Sequence, residues 1–228
     1  MKSTDKYSYK ILNWILFLFI IFGVEIYNEL IFYILKKLGI VINDLAITSL
    51  VSIPIYFSFM IIIYFIFKKS FNENIKRYGA DLKKYFFWAL KVYFLGLLIM
   101  FVSNILIYLF YNSNSTNEVI VQDYLQKYPL YMTFSAVIYS PFMEEVAFRK
   151  IPKNVIKNKY IYIFISGILF GFAHCLAGLN NAYELFYIIP YGVMGASFAY
   201  MYYKTNNIFI PITFHLLHNL VMLIISLV

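Results

Sequence analysis

Three short runs of this chain place ionisable side chains where apolar residues prevail. The first is Glu144-Glu145-Val146-Ala147-Phe148-Arg149. On a helix Glu145 and Arg149 stand four residues apart and are near enough to pair. Glu144 is rotated by about 100° from Glu145 and points elsewhere. The run reads as one carboxylate neutralised by its own arginine and one left free. A free carboxylate in a low-dielectric setting is a candidate general base. The alternative is a helix end carrying ordinary surface charges.

The second run is Phe170-Gly171-Phe172-Ala173-His174, whose lone histidine could be a structural residue or a catalyst. The third is Phe214-His215-Leu216-Leu217-His218-Asn219. His215 and Asn219 share a helix face, with His218 to the side. Two neutral donors stacked on one face could hold a developing oxyanion. They could equally hydrogen-bond between helices, a common use of His and Asn in membrane bundles. A fourth polar group, Glu25, Asn28 and Glu29, reads as the outer end of a span.

The elements that must position these residues are membrane helices. Of 228 residues, 62% are hydrophobic and only 13% charged, far from the balance of a soluble domain. Mean hydropathy is +0.73. A helix needs about 20 residues to cross the hydrocarbon core. Apolar stretches of that order run over 11–35, 45–67, 85–111, 128–148, 160–176, 184–203 and 208–228. The fold expected is all-α: a polytopic transmembrane helical bundle of about seven spans, with six to eight as bounds. Residues 1–228 form a single integral membrane domain. The first span is long and polar in its middle, so a tilted or broken helix is expected there.

The net charge of +8 could suggest nucleic acid in a soluble protein. Here the bases cluster between apolar runs, which points to membrane orientation and to no nucleic-acid partner. With the N-terminus inside, one side of the membrane holds three lysines before residue 11, six bases in 68–84, five in 149–159, and Lys204. The other side holds Lys36, Lys37 and Lys127. That asymmetry places the N-terminus in the cytoplasm of a multi-pass cell-membrane protein and Val228 outside. The segment 68–84 is an amphipathic surface helix or a solvated cationic loop. Gly167-x-x-x-Gly171 and Gly192-x-x-x-Ala196 permit close approach of helices. A single cysteine, Cys175, rules out an intramolecular disulfide.

Taken in order on separate spans, E-E-x-x-x-R, F-x-x-x-H and H-x-x-x-N resemble the CPBP family, also called Abi. These are CaaX-protease and bacteriocin-processing intramembrane glutamic endopeptidases. The resembling stretch covers about 128–220, and the ordered trio is its specific part. The resemblance implies that Glu144 and His174 activate water for peptide hydrolysis and that His215 and Asn219 form the oxyanion hole. It makes Glu145 and Arg149 the supporting charge pair and Phe170 an aromatic lining residue, with no cofactor and no metal. The implied partners are membrane lipid and a peptide or membrane-protein substrate. A zinc site of Glu144, His174 and His215 is a rival chemistry without the usual H-E-x-x-H helix. A non-catalytic bacteriocin-immunity or scaffold protein of the same fold is the rival function, and a small transporter a third. A fourth span ending at Phe148 would set Glu144 about 20 Å from the depth of His174. The pair therefore requires that helix to continue past Arg149, bent near Pro152.

Overall fold

The computed structural model describes residues 3–227, so Val228 and Lys2, used above for orientation, lie outside them. Eight helices and no strand occur among the described residues. Helix α1 spans Ser3–Lys37 and α2 spans Leu45–Ile66. The polar middle of α1 does not break it: the helix is continuous, with Glu25 and Glu29 exposed on its flank. Asp44 caps α2, accepting hydrogen bonds from the backbone N–H groups of Ala46 and Ile47.

Helix α3 spans Lys68–Tyr111, fusing the basic segment to the third span. Its 44 residues make a rod of about 66 Å, longer than a bilayer is thick. The basic end is therefore neither a loop nor a detached surface helix. It docks on the bundle through Phe71, fully buried and packed on Phe142 and Phe209, and through Asn74. The Asn74 side chain accepts the Ile208 N–H at 2.7 Å, pinning the turn between the last two helices.

A short helix, α4 (Thr116–Lys127), precedes α5, a helical path over 129–155. Two π-helical turns, Ser135–Tyr139 and Val146–Lys150, interrupt α5, and each is followed one residue later by a proline. Ser140 N–H reaches Ser135 O, and Ile151 N–H reaches Val146 O. Pro141 and Pro152 have no N–H to offer the next carbonyls, so other groups must satisfy them. Asn219 Nδ2 donates to Ala136 O at 2.8 Å, Ser166 Oγ to Phe148 O at 2.6 Å, and Tyr162 Oη to Arg149 O at 3.3 Å. The helix thus does continue past Arg149, through a π turn in which the Phe148 and Arg149 carbonyls are tied to the following helix, and ends at Val155. The expected end at Phe148 is corrected accordingly.

Helix α6 spans Lys159–Cys175, α7 Ile188–Thr205 and α8 Phe209–Ser226, with two 3-10 turns between α6 and α7. The span expected over 184–203 corresponds to a candidate span Ala182–Thr205, whose α-helical part starts at Ile188 while Glu184 lies in the preceding 3-10 turn. Among the described residues six helices are long and apolar enough to cross a membrane, and the interrupted α5 is not one of them.

The small-residue patterns are used as expected. A Cβ on Gly171 would lie 2.5 Å from Ile188 O and 3.0 Å from Gly192 N; one on Gly167 would lie 2.7 Å from Gly192 O. Helices α6 and α7 are in backbone contact there. Gly171→Ala is expected to force them apart, costing about 1–3 kcal/mol as overpacking does. The shift would also displace His174 three residues on. A lowered thermal midpoint in detergent checks the first effect.

Candidate active site

The interrupted helix α5 carries Glu144 to a point where α6 and α8 present their histidines. Glu144 Oε2 lies 4.0 Å from His174 Nε2 and 3.7 Å from His215 Nε2. The difference in depth feared for an α5 ending at Phe148 is gone. These separations exceed a direct hydrogen bond and match groups bridged through one small molecule such as water. Glu144 and His174 keep 22% and 18% side-chain exposure, whereas His215 keeps 4%.

Behind this front stands a fully buried charge pair. Glu145 and Arg149 are both 0% exposed, with Nε 3.1 Å from Oε2. The contact is out of line for a hydrogen bond, and Arg149 Nη1 and Nη2 have no polar protein partner. Aromatic faces receive the guanidinium instead, with Phe170 at 4.3 Å and Phe198 at 5.7 Å. The other Glu145 oxygen accepts from His215 Nδ1 at 2.9 Å. Both histidines are oriented by acceptors, since His174 Nδ1 donates to Phe170 O at 2.9 Å. A carbonyl and a paired carboxylate only accept, so each Nδ1 carries hydrogen. In the neutral tautomer each Nε2 then turns a lone pair toward Glu144.

The Phe170 ring centre lies 4.3 Å from the His174 ring centre. Two lining rings carry no motif signal at all. Tyr191 stacks on His174 at 4.7 Å, and Phe198 on His215 at 4.8 Å. Each is an ordinary aromatic within an apolar helix, so spacing alone could not single it out.

A cavity of about 510 Å³ contains Glu144, His174, His215 and Asn219 in its lining. All four candidate residues therefore share one chamber. Asn219 has one Nδ2 hydrogen committed to Ala136 O, leaving its second for the chamber. His218, which matches no motif position, also lines the cavity and contacts Tyr93 Oη at 3.1 Å. A second cavity of about 230 Å³, walled by Ile20 and Val24 of α1, meets the first at Glu144 and His174.

Helix α4 contributes Asn117, Glu118, Val121 and Gln122 to the lining of the chamber. Glu184, fully buried, binds its first turn: Thr116 N–H lies 3.2 Å from both carboxylate oxygens and Thr116 Oγ1 donates to one at 3.0 Å. Ser115 Oγ lies 2.7 Å from Tyr191 Oη, and Asn117 Nδ2 donates to the same oxygen at 3.3 Å. The ring stacked on His174 is thus also the anchor of α4. Desolvation raises the Glu118 carboxyl above the usual carboxylate range.

The chain is thus a polytopic helical membrane protein whose interrupted helix presents one carboxylate to two imidazoles at the wall of a cavity. Comparison with known proteins agrees. Residues 126–221 match the family described as "Type II CAAX prenyl endopeptidase Rce1-like", a stretch that includes every candidate residue named from the motifs. The resemblance to the CPBP family is thereby borne out. Over 116 residues the chain is 32% identical to the "Putative membrane peptidase YdiL" of Bacillus subtilis (strain 168). The aligned stretch is 50% of this chain and 44% of that relative. No solved structure matches.

Proposed function

We propose that this chain is an intramembrane endopeptidase that hydrolyses a peptide bond of a membrane-associated peptide or protein. In this reading Glu144 and His174 activate the attacking water. The observation that carries it is the spacing of Glu144 Oε2, 3.7 and 4.0 Å from two oriented imidazoles at the wall of one cavity. A water there donates one hydrogen to Glu144 and the other to His174 Nε2, and its freed lone pair meets the carbonyl carbon.

His215 Nε2 stabilises the oxyanion only as an imidazolium, because its Nδ1 hydrogen is committed to Glu145. With His215 charged, the group Glu144, Glu145, Arg149 and His215 sums to zero, which suits a buried cluster. Asn219 supplies its second amide hydrogen. The N-terminus lies in the cytoplasm of a cell-membrane protein, on the support of the basic residues that cluster on one side of the apolar runs. The test compares membrane peptides from wild-type and Glu144→Ala cells by mass spectrometry. Peptides whose cleaved forms vanish in the variant are the expected result; identical peptide sets would count against hydrolysis.

A second reading has one observation in its favour. Two imidazoles whose Nδ1 hydrogens are held by acceptors, facing a carboxylate, resemble a metal-ligand set. Among the described residues, however, no group of three His, Cys, Asp or Glu side chains is spaced to hold an ion. Cleavage by the purified chain is expected to persist in a strong chelator. Loss of cleavage, restored by zinc, would favour the metal.

A further inference from the structure

The rim of the large cavity carries one carboxylate that the hydrolytic mechanism leaves unused. Glu118 lines the cavity together with Glu144, and no Lys, Arg or Asp does so among the described residues. Glu118 is exposed, which places it where the chamber meets its surroundings. Its backbone N–H is satisfied by the α4 cap, Ser115 Oγ, at 3.2 Å. Its carboxylate accepts from Gln122 Nε2 at 3.3 Å and has no cationic partner within ion-pair distance among the described residues. The lining also has an apolar wall that includes Met100, Met194, Phe198, Met222 and Leu223. Methionines adapt to varied side chains, so this wall admits an apolar residue without fixing its shape.

The rim is not a loose surface feature. Glu184 clamps the first turn of α4, and Tyr191 joins that turn to the His174 ring. Glu118 therefore keeps a fixed position relative to the reacting groups. Its place in the first turn also favours a negative charge.

We propose that Glu118 is a specificity-determining residue, selecting peptides that carry a basic side chain beside the apolar residue received by the methionine-lined wall. This inference rests on the peptidase reading above. A carboxylate at the rim pairs with Lys or Arg and repels Asp or Glu, while the methionine-lined part of the chamber receives an apolar side chain.

The test uses the purified full chain in liposomes and three sets of membrane-associated peptides. The sets carry Lys, norleucine or Glu, moved through each position flanking one apolar residue. At one position the wild-type protein is expected to prefer Lys over norleucine by about fivefold, the upper range for an exposed ion pair. Glu118→Gln is expected to bring that ratio to about one, and Glu118→Lys to turn it in favour of Glu. Each ratio is taken within one protein, so the amount of folded protein does not enter. No Lys preference in the wild type, or an equal ratio in all three proteins, overturns the proposal while leaving hydrolysis intact. Undiminished cleavage by Glu144→Gln overturns the water-activating role of Glu144 in that reading instead, and wild-type protein that cleaves no peptide overturns both.

Discussion

Glu144→Gln is expected to lower turnover about 10³-fold, within the range for loss of a positioned acid–base group, and to leave the bundle folded. The amide keeps the size of the carboxylate but neither takes a proton nor bears the charge that aligns water against His174. Glu144 Oε2 has no direct protein hydrogen bond to lose, so its thermal midpoint should stay near that of the wild type. Its neighbour should behave in the opposite way. Glu145→Gln removes the charge facing Arg149 and weakens the acceptor of His215 Nδ1, both within a fully buried cluster. Loss of stability should therefore dominate at Glu145 and loss of turnover at Glu144. Measuring activity and melting on both variants checks the division of labour between two adjacent, chemically identical side chains.

Arg149→Met is expected to cost about 3–5 kcal/mol, because removing one partner of a buried pair strands the other charge. Arg149 is among the largest fully buried side chains in the protein. Methionine fills comparable volume, so the loss reports the charge more than a cavity. Glu145→Gln combined with Arg149→Met should recover part of that loss, with a coupling of about 0.5–3 kcal/mol. Chemical denaturation in detergent of the two single variants and the double variant closes the cycle. Purely additive losses would show that the pair does not act as a unit.

These effects trace to residues that were legible without coordinates, and the geometry joining them was not. Glu144, His174, His215 and Asn219 stood out because each is costly in an apolar run. The pairing of Glu145 with Arg149 followed from helical phase and holds even though residues 146–150 form a π turn. Pro152 announced a disturbance, and the need for Glu144 to reach His174 required the helix to go on. That the disturbance would be two π turns was hidden, because it depends on donors from elsewhere in the chain. Asn219 is the clearest case: besides facing the chamber, it satisfies the carbonyl that Pro141 leaves open. Glu118, Tyr191 and Phe198 carried no signal, since exposed carboxylates and apolar rings are ordinary at such positions. The fused helix α3 was also hidden, because the bases of 68–84 suit a loop as well as a helix, and only the docking of Phe71 and Asn74 decides.

The measurement that bears most directly on the central claim is cleavage of a membrane peptide by the purified chain in liposomes made up in oxygen-18 water. Wild-type protein is predicted to give two fragments, one with a labelled new C-terminal carboxylate, and Glu144→Gln to give neither. Equal labelled product from both proteins would contradict activation of water by Glu144.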